Sequence, residues 1–278
     1  MRTDVSVWDV TDWSSIRPED QGKDASKVWI ARDGAEDRTD WWLWKPRLHT
    51  GDGTQDRLND VAEVVASRLA EAIGLPAARC EFATRDGAVG AISRMVAPHP
   101  YDMTPGAGLV QEHTLSEIEA ALQGRTGPPG HETWTAFEVF AGYLTLDAWI
   151  ANTDRHEQNW AVLETDGAQS WLAPAYDHGS ALGSGLTESN RMTRDVHKFC
   201  SKGQTRYYGP KHVGLIDLAD EAVSACGADH WASRIADVDP RQWRVILDNI
   251  VGLSDIARTF INELLTINQE RVRSLCRP

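Results

Sequence analysis

Three side chains with oxygen ligands stand close together in the middle of the chain: Asp154, Asn159 and Asp177. The first two belong to the stretch Asn-Thr-Asp-Arg-His-Glu-Gln-Asn, and Asp177 follows in Leu-Ala-Pro-Ala-Tyr-Asp-His-Gly, eighteen residues beyond Asn159. Phosphoryl transfer requires a carboxylate that orients the attacking hydroxyl and oxygen ligands that hold Mg²⁺ against a triphosphate. We therefore expect Asp154 to orient a hydroxyl, and Asn159 and Asp177 to bind Mg²⁺, in an ATP-dependent phosphotransferase.

The local sequence predicts elements that can bring these three residues together. The apolar, helix-like run 143–151 should end just before an exposed loop that holds Asp154. The short apolar runs 160–163 and 171–173 are joined by Thr-Asp-Gly-Ala, the turn chemistry of a hairpin. A paired ribbon of this kind brings Asp177 back beside the loop. Residues that are separate in sequence can then share one metal site.

A second candidate group lies in the N-terminal half, where a kinase needs a strand lysine on the phosphates and a helix glutamate that holds this lysine. Residues 41–47 are aromatic and strand-prone, with Lys45 last before a proline. Residues 57–73 have the apolar spacing of an amphipathic helix that carries Glu63. We expect Lys45 and Glu63 to form an ion pair, with Lys45 on the phosphates of ATP.

Simpler interpretations of these residues remain open at this point. Taken singly, Lys45 is more often a solvated strand-end lysine and Glu63 a surface charge, because both residue types mostly lie at the surface. Asp and Asn are also ordinary turn residues. The pair His156-Glu157 suggests a zinc hydrolase, but that motif requires a second His four positions after the first, where this chain has Trp160.

The order of these residues resembles the HipA-like kinases, a bacterial family with a protein-kinase-type fold. The catalytic loop of that family has the form Asn-x-Asp-x-His-x-x-Asn, followed by Leu-x-Pro-x-Tyr-Asp, and both patterns occur here residue for residue. The resemblance implies that Asp154 is the catalytic aspartate, that Asn159 and Asp177 bind Mg²⁺, and that His156 is a structural or nucleotide-adjacent residue. It also implies transfer of the γ-phosphoryl group to Ser or Thr of a protein.

Further segments are interpreted through the same resemblance. The family places its helix glutamate eleven residues before Gly-Leu-Pro, and Glu63 stands at that distance from Gly74. Residues 21–30 resemble the loop that covers the phosphates and the strand after it, which makes Lys27 a candidate phosphate contact, although an ordinary turn explains this loop equally well. By family analogy Ser26 in this loop is a candidate phosphorylation site.

The hinge between two lobes is expected at residues 92–96, directly before a segment rich in Pro and Gly. In a kinase-type fold the backbone of this strand meets the adenine of ATP. The candidate adenine contacts are Ser93, Arg94, Met95 and Val96.

The chain is expected to have an α+β, bilobal protein-kinase-like fold. Residues 1–96 make the strand-rich N-terminal lobe, residues 97–108 the connector, and residues 109–278 the mainly helical C-terminal lobe. Helical apolar spacing marks three segments of the larger lobe, 215–226, 231–237 and 256–275.

Two features of the larger lobe allow two interpretations each. Arg155, beside the catalytic aspartate, can contact a phosphate or an activation-segment group, or can form a surface or structural salt bridge, and both readings stand equally. Residues 179–185 hold three glycines and two serines. They form either a flexible loop or an activation-type segment.

Composition disfavours several other classes of protein. The formal net charge of −13 repels a polyanion, and no basic run offsets it, so no nucleic-acid binding is expected. The four cysteines are far apart, without a Cys-x-x-Cys pair, which indicates neither a zinc knuckle nor a disulfide framework. No signal-peptide core and no apolar run of about 18 residues occurs. The sequence therefore predicts a soluble, cytoplasmic protein that does not bind membranes.

Two other functions use the same cleft: a small-molecule or lipid phosphotransferase, and a nucleotide-binding pseudokinase that acts through partners. The pseudokinase is disfavoured because every chemical position is filled, and the acidic balance argues against anionic lipid head groups. The acceptor is therefore expected to be a hydroxyl of a protein or small molecule, and a regulatory partner protein remains open.

Overall fold

The computed structural model describes residues 2–16, 26–35, 37–49, 53, 56–167 and 169–276. The first part of the segment interpreted as the phosphate-covering loop, residues 21–25, lies outside these described residues. The remainder of the chain forms a strand-rich N-terminal part and a mainly helical C-terminal part, which confirms the expected fold class.

The N-terminal part is built on one six-stranded sheet. Its spatial order is β1, β5, β6, β4, β3, β2, and every neighbouring pair is antiparallel except β1 with β5. The strands are β1 (Val7–Asp9), β2 (Ser14–Ile16), β3 (Val28–Ala31), β4 (Trp42–Pro46), β5 (Cys80–Arg85) and β6 (Ala88–Arg94).

Strand β4 separates a core face from a chemical face by the two-residue period of a strand. Trp42 and Trp44 are buried in a small apolar cluster with Ile30 and Ile92, so they pack in a core instead of forming a stacking platform. Lys45 points to the opposite face, where it is only 6 % exposed. The alternation of residue types along β4 therefore fixes which face Lys45 occupies.

Helix α1 (Asn59–Ala72) covers the opposite face of the sheet and confirms the predicted helix at 57–73. It packs against β5 and β6 on one side and against α8 (Pro240–Asn249) on the other. The helix is consequently buried on nearly all sides, from Asp60 to Ala70, instead of on one apolar stripe. Glu63 is therefore an interior carboxylate, and the alternative of a surface charge is wrong.

A three-stranded sheet joins the two parts of the molecule. Strand β7 (Asp102–Pro105) pairs with β8 (Ala161–Glu164), which pairs with β9 (Ser170–Leu172). The β8–β9 pair confirms the hairpin predicted from the two apolar runs. The segment interpreted as a connector thus contains a strand, and its three-residue 3₁₀ turn, Gly106–Gly108, follows directly.

Helix α3 (Ala136–Ile150) forms the centre of the helical part and leads into the catalytic loop. Thr135 and Glu138 close its N-terminus as a capping box, and Ala151 ends it in the left-handed conformation with φ 53°. Every residue of α3 except Glu138 is buried, and replacing a side chain such as Trp149 by Ala would cost about 3–5 kcal/mol. The predicted helix end before Asn152 is confirmed.

The other helices pack around α3. Helices α6, α7 and α9 contact it directly. Ser254 caps the N-terminus of α9 by accepting from the Ala257 N–H, and within the described ranges no helix has the length and apolar character of a membrane span. The remaining elements are α2 (Leu115–Leu122), α4 (Glu188–Thr193), α5 (Val196–Ser201), β10 (Gln204–Thr205), β11 (Val213–Gly214), α6 (Leu215–Cys226), α7 (His230–Ala236) and α9 (Asp255–Arg273).

Candidate active site

One cavity between the two parts of the molecule collects most of the residues singled out from the sequence. It has a volume of about 240 Å³ and is bounded by strand β4, helix α1 and the loop after α3. The candidate site residues that line it are Lys27, Lys45, Glu63, Asp154, His156, Asn159 and Asp177. Residues 150 positions apart in sequence thus share one cleft.

The ammonium group of Lys45 joins the two parts of the molecule. It donates a hydrogen bond to Glu63 Oε1 of α1 and another to Asp177 Oδ1, with an Nζ–Oδ1 distance of 2.9 Å. The Lys45 and Glu63 side chains are 7 % and 2 % exposed, so this ion pair is interior. The third N–H of Lys45 has no acceptor among the described residues, which leaves one donor for a ligand in the cleft.

The charged side chains of this group shift one another's pKa values. Burial opposes ionisation of Asp177, but the ammonium groups of Lys45 and Lys27 outweigh burial and hold the pKa of Asp177 well below its usual range. Burial also disfavours the ammonium of Lys45, yet Asp177 and Glu63 raise its pKa above the ordinary value. Both groups therefore stay charged at neutral pH, as metal binding and phosphate contact require.

Lys27 directly precedes strand β3, and its side chain reaches Asp177. Its Nζ lies 3.2 Å from Asp177 Oδ2, so each carboxylate oxygen of Asp177 meets a different lysine. Asp177 itself has φ 59°, a left-handed conformation that few non-glycine residues adopt. Contacts with the surrounding residues must hold the backbone in this conformation. The conformation places the carboxylate in the cleft.

Asp154 holds two hydroxyl groups in this structure. Its Oδ1 accepts from the Tyr207 hydroxyl at 2.9 Å, and its Oδ2 accepts from Ser180 Oγ at 3.0 Å. Both donors are of the chemical type that an acceptor substrate presents to a catalytic carboxylate. The geometry shows that this carboxylate binds hydroxyls at the mouth of the cleft.

The side-chain amide of Asn159 is held by one hydrogen bond. Its Nδ2 donates to the backbone oxygen of Asp154 at 2.7 Å, which fixes the amide and leaves Oδ1 without a donor among the described residues. One amide oxygen and one carboxylate in the same cavity suit Mg²⁺, which keeps several ligands from water and substrate phosphates. The residues present therefore fit a Mg²⁺–ATP complex.

Arg155 is a structural residue. Its five N–H groups all have acceptors: both oxygens of Asp147, the backbone oxygens of Asn159 and Tyr176, and His178 Nε2. Arg155 is 2 % exposed, so it is not available to a phosphate or to another segment. It ties the loop after α3, and the segment that leads from β9 to Asp177, onto helix α3.

His178 follows Asp177 and links it to helix α1. Its backbone N–H donates to Glu63 Oε2 at 3.2 Å, and its ring accepts from Arg155 at 3.0 Å. Burial, with the positive charges of Arg155 and Lys45, holds the pKa of His178 well below its usual value. The ring is therefore neutral, with its hydrogen on Nδ1.

A chain of hydrogen bonds positions Tyr207. Trp160 Nε1 donates to His113 Nε2 at 2.9 Å, and His113 Nδ1 donates to the backbone oxygen of Tyr207 at 2.9 Å. The tyrosine hydroxyl then reaches Asp154. No sequence pattern pointed to His113 or Tyr207, because they lie 94 residues apart and neither belongs to a motif.

The four hinge candidates do not line the cavity that holds the charged residues. Ser93 is buried beside Cys80, Arg94 donates through Nε to Thr39 O, and Met95 N–H donates to Trp41 O at 3.0 Å. These groups thus hold strand β6 within its own sheet. Val96 follows, and the adenine contacts of all four residues stay predictions.

Residues 179–185 are not a loose loop. Ala181 and Leu182 are 0 % and 1 % exposed, and the Leu182 N–H donates to Ile150 O at 2.8 Å, which ties the segment to the end of α3. Ser180 is exposed and lies on Asp154, as described above. Ser26, the candidate phosphorylation site, lines the cavity that holds the charged residues.

The 3₁₀ turn Gly106–Gly108 supports the catalytic loop from the other side. The Gly106 N–H donates to Trp160 O at 2.9 Å, and the Ala107 N–H donates to Glu157 O at 2.8 Å. A Cβ atom on Gly106 would lie 2.2 Å from the Trp160 ring, so only glycine permits this approach. The loop that carries Asp154 and Asn159 is therefore fastened to the joining segment.

Comparisons with known proteins show the family and the fold of the chain. The family described as "HipA-like C-terminal domain" matches residues 22–243, which is most of the chain. No curated protein matches this chain significantly. Among solved structures the fold resembles the proinflammatory kinase CtkA of Helicobacter pylori, with 15 % identity and a TM-score of 0.74, over 98 % of this chain and 99 % of that chain.

A second similar structure is HipA of Shewanella oneidensis MR-1, from a toxin–antitoxin system and solved as a complex with HipB and operator DNA. The identity is 10 % and the TM-score 0.57, over 91 % of this chain and 65 % of that chain. At these identities both structures show the fold alone, whereas the family match extends over the site described above. The chain belongs to the HipA-like C-terminal domain family.

Proposed function

We propose that this protein is a kinase that transfers the γ-phosphoryl group of ATP, with Mg²⁺, to a hydroxyl of a protein serine or threonine. The observation that carries the proposal is the cleft itself: Lys45, held by Glu63, reaches Asp177 from one side, and Asp154 holds hydroxyls on the other. A mere nucleotide-binding module has no use for a carboxylate placed on hydroxyl groups.

Each residue has a defined task in this proposal. The free N–H of Lys45 donates to the phosphates, and Glu63 keeps the lysine in place. Asn159 Oδ1 and the Asp177 carboxylate hold Mg²⁺, which supplies positive charge against the phosphates when bound. Asp154 accepts a hydrogen bond from the acceptor hydroxyl, aligns its oxygen with the γ-phosphorus and takes up its proton as ADP leaves.

Lys27 has a second task in the same cleft. It pairs with Asp177, the carboxylate that would hold Mg²⁺. We propose that its ammonium group also contacts the phosphates, beside His156 in the same cavity. For adenine we propose the backbone of Val96, because the Met95 N–H already donates to Trp41 O. A regulatory partner protein belongs to the proposal too, since Shewanella HipA was solved with HipB.

The experiment that tests the function is transfer of labelled phosphate from ATP to proteins of a cell extract. Asp154→Asn keeps the shape of the side chain and removes its charge, so transfer is expected to fall about 10²- to 10⁴-fold. Asp166→Asn, the same change in the exposed turn between β8 and β9, is the matched control and should behave as wild type. Equal transfer by Asp154→Asn and wild type would contradict the proposal, and label in metabolites or lipids alone would reassign the acceptor.

A further inference from the structure

A second cavity lies beside the catalytic loop and is lined by three cations. It has a volume of about 450 Å³, and Arg194, Lys198 and Lys202 stand around it. All three residues are exposed to solvent. Within the part of the chain that the structure describes, none of the three lies within ion-pair distance of a carboxylate.

Helix stabilisation explains this cluster only in part. Lys198 and Lys202 are four residues apart at the C-terminal end of α5, where the helix dipole favours cations, although like charges at this spacing repel each other. Arg194 comes before the N-cap, Asp195, where the same dipole disfavours a cation. The Asp195 carboxylate is engaged with the Lys198 N–H at 2.9 Å. The three cations therefore share the cavity and not a helix end.

The cavity is continuous with the place where hydroxyls meet Asp154. Thr153 and Ser180 line both it and a neighbouring groove of about 350 Å³ that contains Asp154. This groove adds two more cations, Arg57 and Arg206. Asp195 also lines the cavity, so five cations stand against two carboxylates, Asp195 and Asp154, along this path. In a chain with a formal net charge of −13, this excess of cations makes a local positive field.

We propose that the acceptor of this kinase is an acidic protein segment, whose Asp or Glu side chains enter the cation-lined cavity while its hydroxyl lies on Asp154. The inference rests on the proposed function and names its substrate class. Lysine and arginine attract carboxylates in a concave site where the field is focused. Phe199 adds an apolar wall, with the Arg194 guanidinium 5.9 Å from its ring centre, which suits a peptide backbone and side chains.

Nucleic acid fits the same surface less well. A polyanion needs a long positive track, whereas the cavity is bounded and the protein is strongly acidic as a whole. A short peptide with two or three carboxylates needs only the cations described here. The test below separates these two classes of ligand.

The first measurement is binding of fluorescent peptides to the full chain with Mg²⁺ and a non-hydrolysable ATP analogue, followed by anisotropy. One peptide has a serine flanked by four Asp, and its twin has four Lys in the same positions. The acidic peptide is expected to bind at least about tenfold tighter and to weaken as salt increases. Equal binding of both peptides, or preference for the Lys peptide, overturns the proposal.

Variants locate the binding site. Lys198→Glu/Lys202→Glu is expected to lose the acidic preference by about tenfold or more, because two attractions become repulsions. Arg241→Glu/Arg244→Glu makes the same change of charge on exposed positions of α8 and should keep the preference. Lys198→Gln/Lys202→Gln is a milder second variant, and thermal unfolding checks the fold of each. If both reversed pairs lose affinity equally, only net charge matters and the proposal fails.

Two further outcomes are decisive. A single-stranded RNA oligonucleotide that binds more tightly than the acidic peptide, and loses this binding in Lys198→Glu/Lys202→Glu, would assign the cavity to nucleic acid instead. Because binding needs no transfer, the two proposals fail separately. A wild-type protein that binds the acidic peptide but phosphorylates nothing contradicts the kinase function and supports the cavity assignment.

Discussion

Two buried ion pairs stand on either side of the cleft, and they differ in what they leave unsatisfied. Arg155 and Asp147 are both 2 % exposed, and the five N–H groups of Arg155 are all taken by protein acceptors. Lys45 and Glu63 are nearly as buried, yet one N–H of Lys45 has no acceptor in the described residues, and its second partner, Asp177, is 29 % exposed in its side chain. Burial alone therefore does not mark a catalytic charge.

We call Arg155–Asp147 the closed pair, because every N–H of Arg155 has an acceptor, and Lys45–Glu63 the open pair. The two pairs have different physical consequences. A buried charge loses its hydration, so it is stable only when protein groups replace the water. Arg155 meets this condition completely, which makes it part of the scaffold. Only two of the three N–H groups of Lys45 have protein acceptors, so a phosphate oxygen can accept from the third. The following predictions test this contrast.

The largest expected effect is on catalysis at the open pair. Lys45→Met removes the donor to the phosphates, so phosphoryl transfer should fall about 10³-fold, the range seen when one preorganised donor is lost. Transfer is measured with labelled ATP, and thermal unfolding should show a folded protein. Lys211→Met, at an exposed position, is the matched control. Activity within threefold of wild type would contradict an electrostatic role for Lys45.

The closed pair should instead govern stability. Arg155→Met leaves Asp147 buried without its partner, so the free energy of unfolding is expected to fall by about 3–5 kcal/mol, measured with urea. The double variant Arg155→Met/Asp147→Leu removes both charges and should recover much of this loss. A loss below about 1 kcal/mol in the single variant would show that Asp147 finds water or another donor.

Glu63→Gln sharpens the comparison at the open pair. It preserves the shape but removes the charge that positions Lys45, so transfer should fall about 10- to 100-fold, as expected for a displaced catalytic group. The KM for ATP should rise, since Lys45 contacts the phosphates in the proposed complex. Glu221→Gln, an exposed change on α6, is the control. Unchanged kinetics in Glu63→Gln would mean that Asp177 alone holds Lys45.

The smallest effect concerns pH, through the histidine between the two pairs. The pKa of His178 is lowered on folding, so the unfolded chain binds a proton that the folded protein does not. Stability from this group is therefore present above the unfolded pKa of about 6.5 and falls below it, by about 1.4 kcal/mol per pH unit. His113, whose pKa is also lowered, acts in the same direction. His178→Asn should make the measured slope of unfolding free energy shallower, and an unchanged slope would contradict this account.

Local chemistry explains which parts of the site could be predicted. The end of α3 and the β8–β9 hairpin follow from short-range signals, and together they bring Asp177 to Asn159. The Lys45–Glu63 ion pair followed from the order of a strand and a helix. The burial of α1 on nearly all sides did not, because its second cover, α8, comes almost two hundred residues later.

Other parts of the site depend on contacts that a single sequence hides. Asp147 belongs to no motif, although a carboxylate within the otherwise apolar run 143–151 is a usable signal, since a buried charge needs a partner. For Tyr207 no such signal exists. Its hydroxyl reaches Asp154 only because His113 holds its backbone from a distant loop.

The attachment of the catalytic loop to Gly106 and Ala107 limits how the protein can open and close around a nucleotide. Strand β7 belongs to the same sheet as β8, so everything from Asp102 onward travels with the helical part. The six-stranded sheet is attached to the helical part through α1 as well, since α1 packs against α8 and Glu63 accepts from the His178 N–H. A rotation of the sheet would move Lys45 relative to Asp154 and Asn159, so the distance between Lys45 Nζ and Asp177 Oδ1, 2.9 Å here, is the coordinate that reports closure.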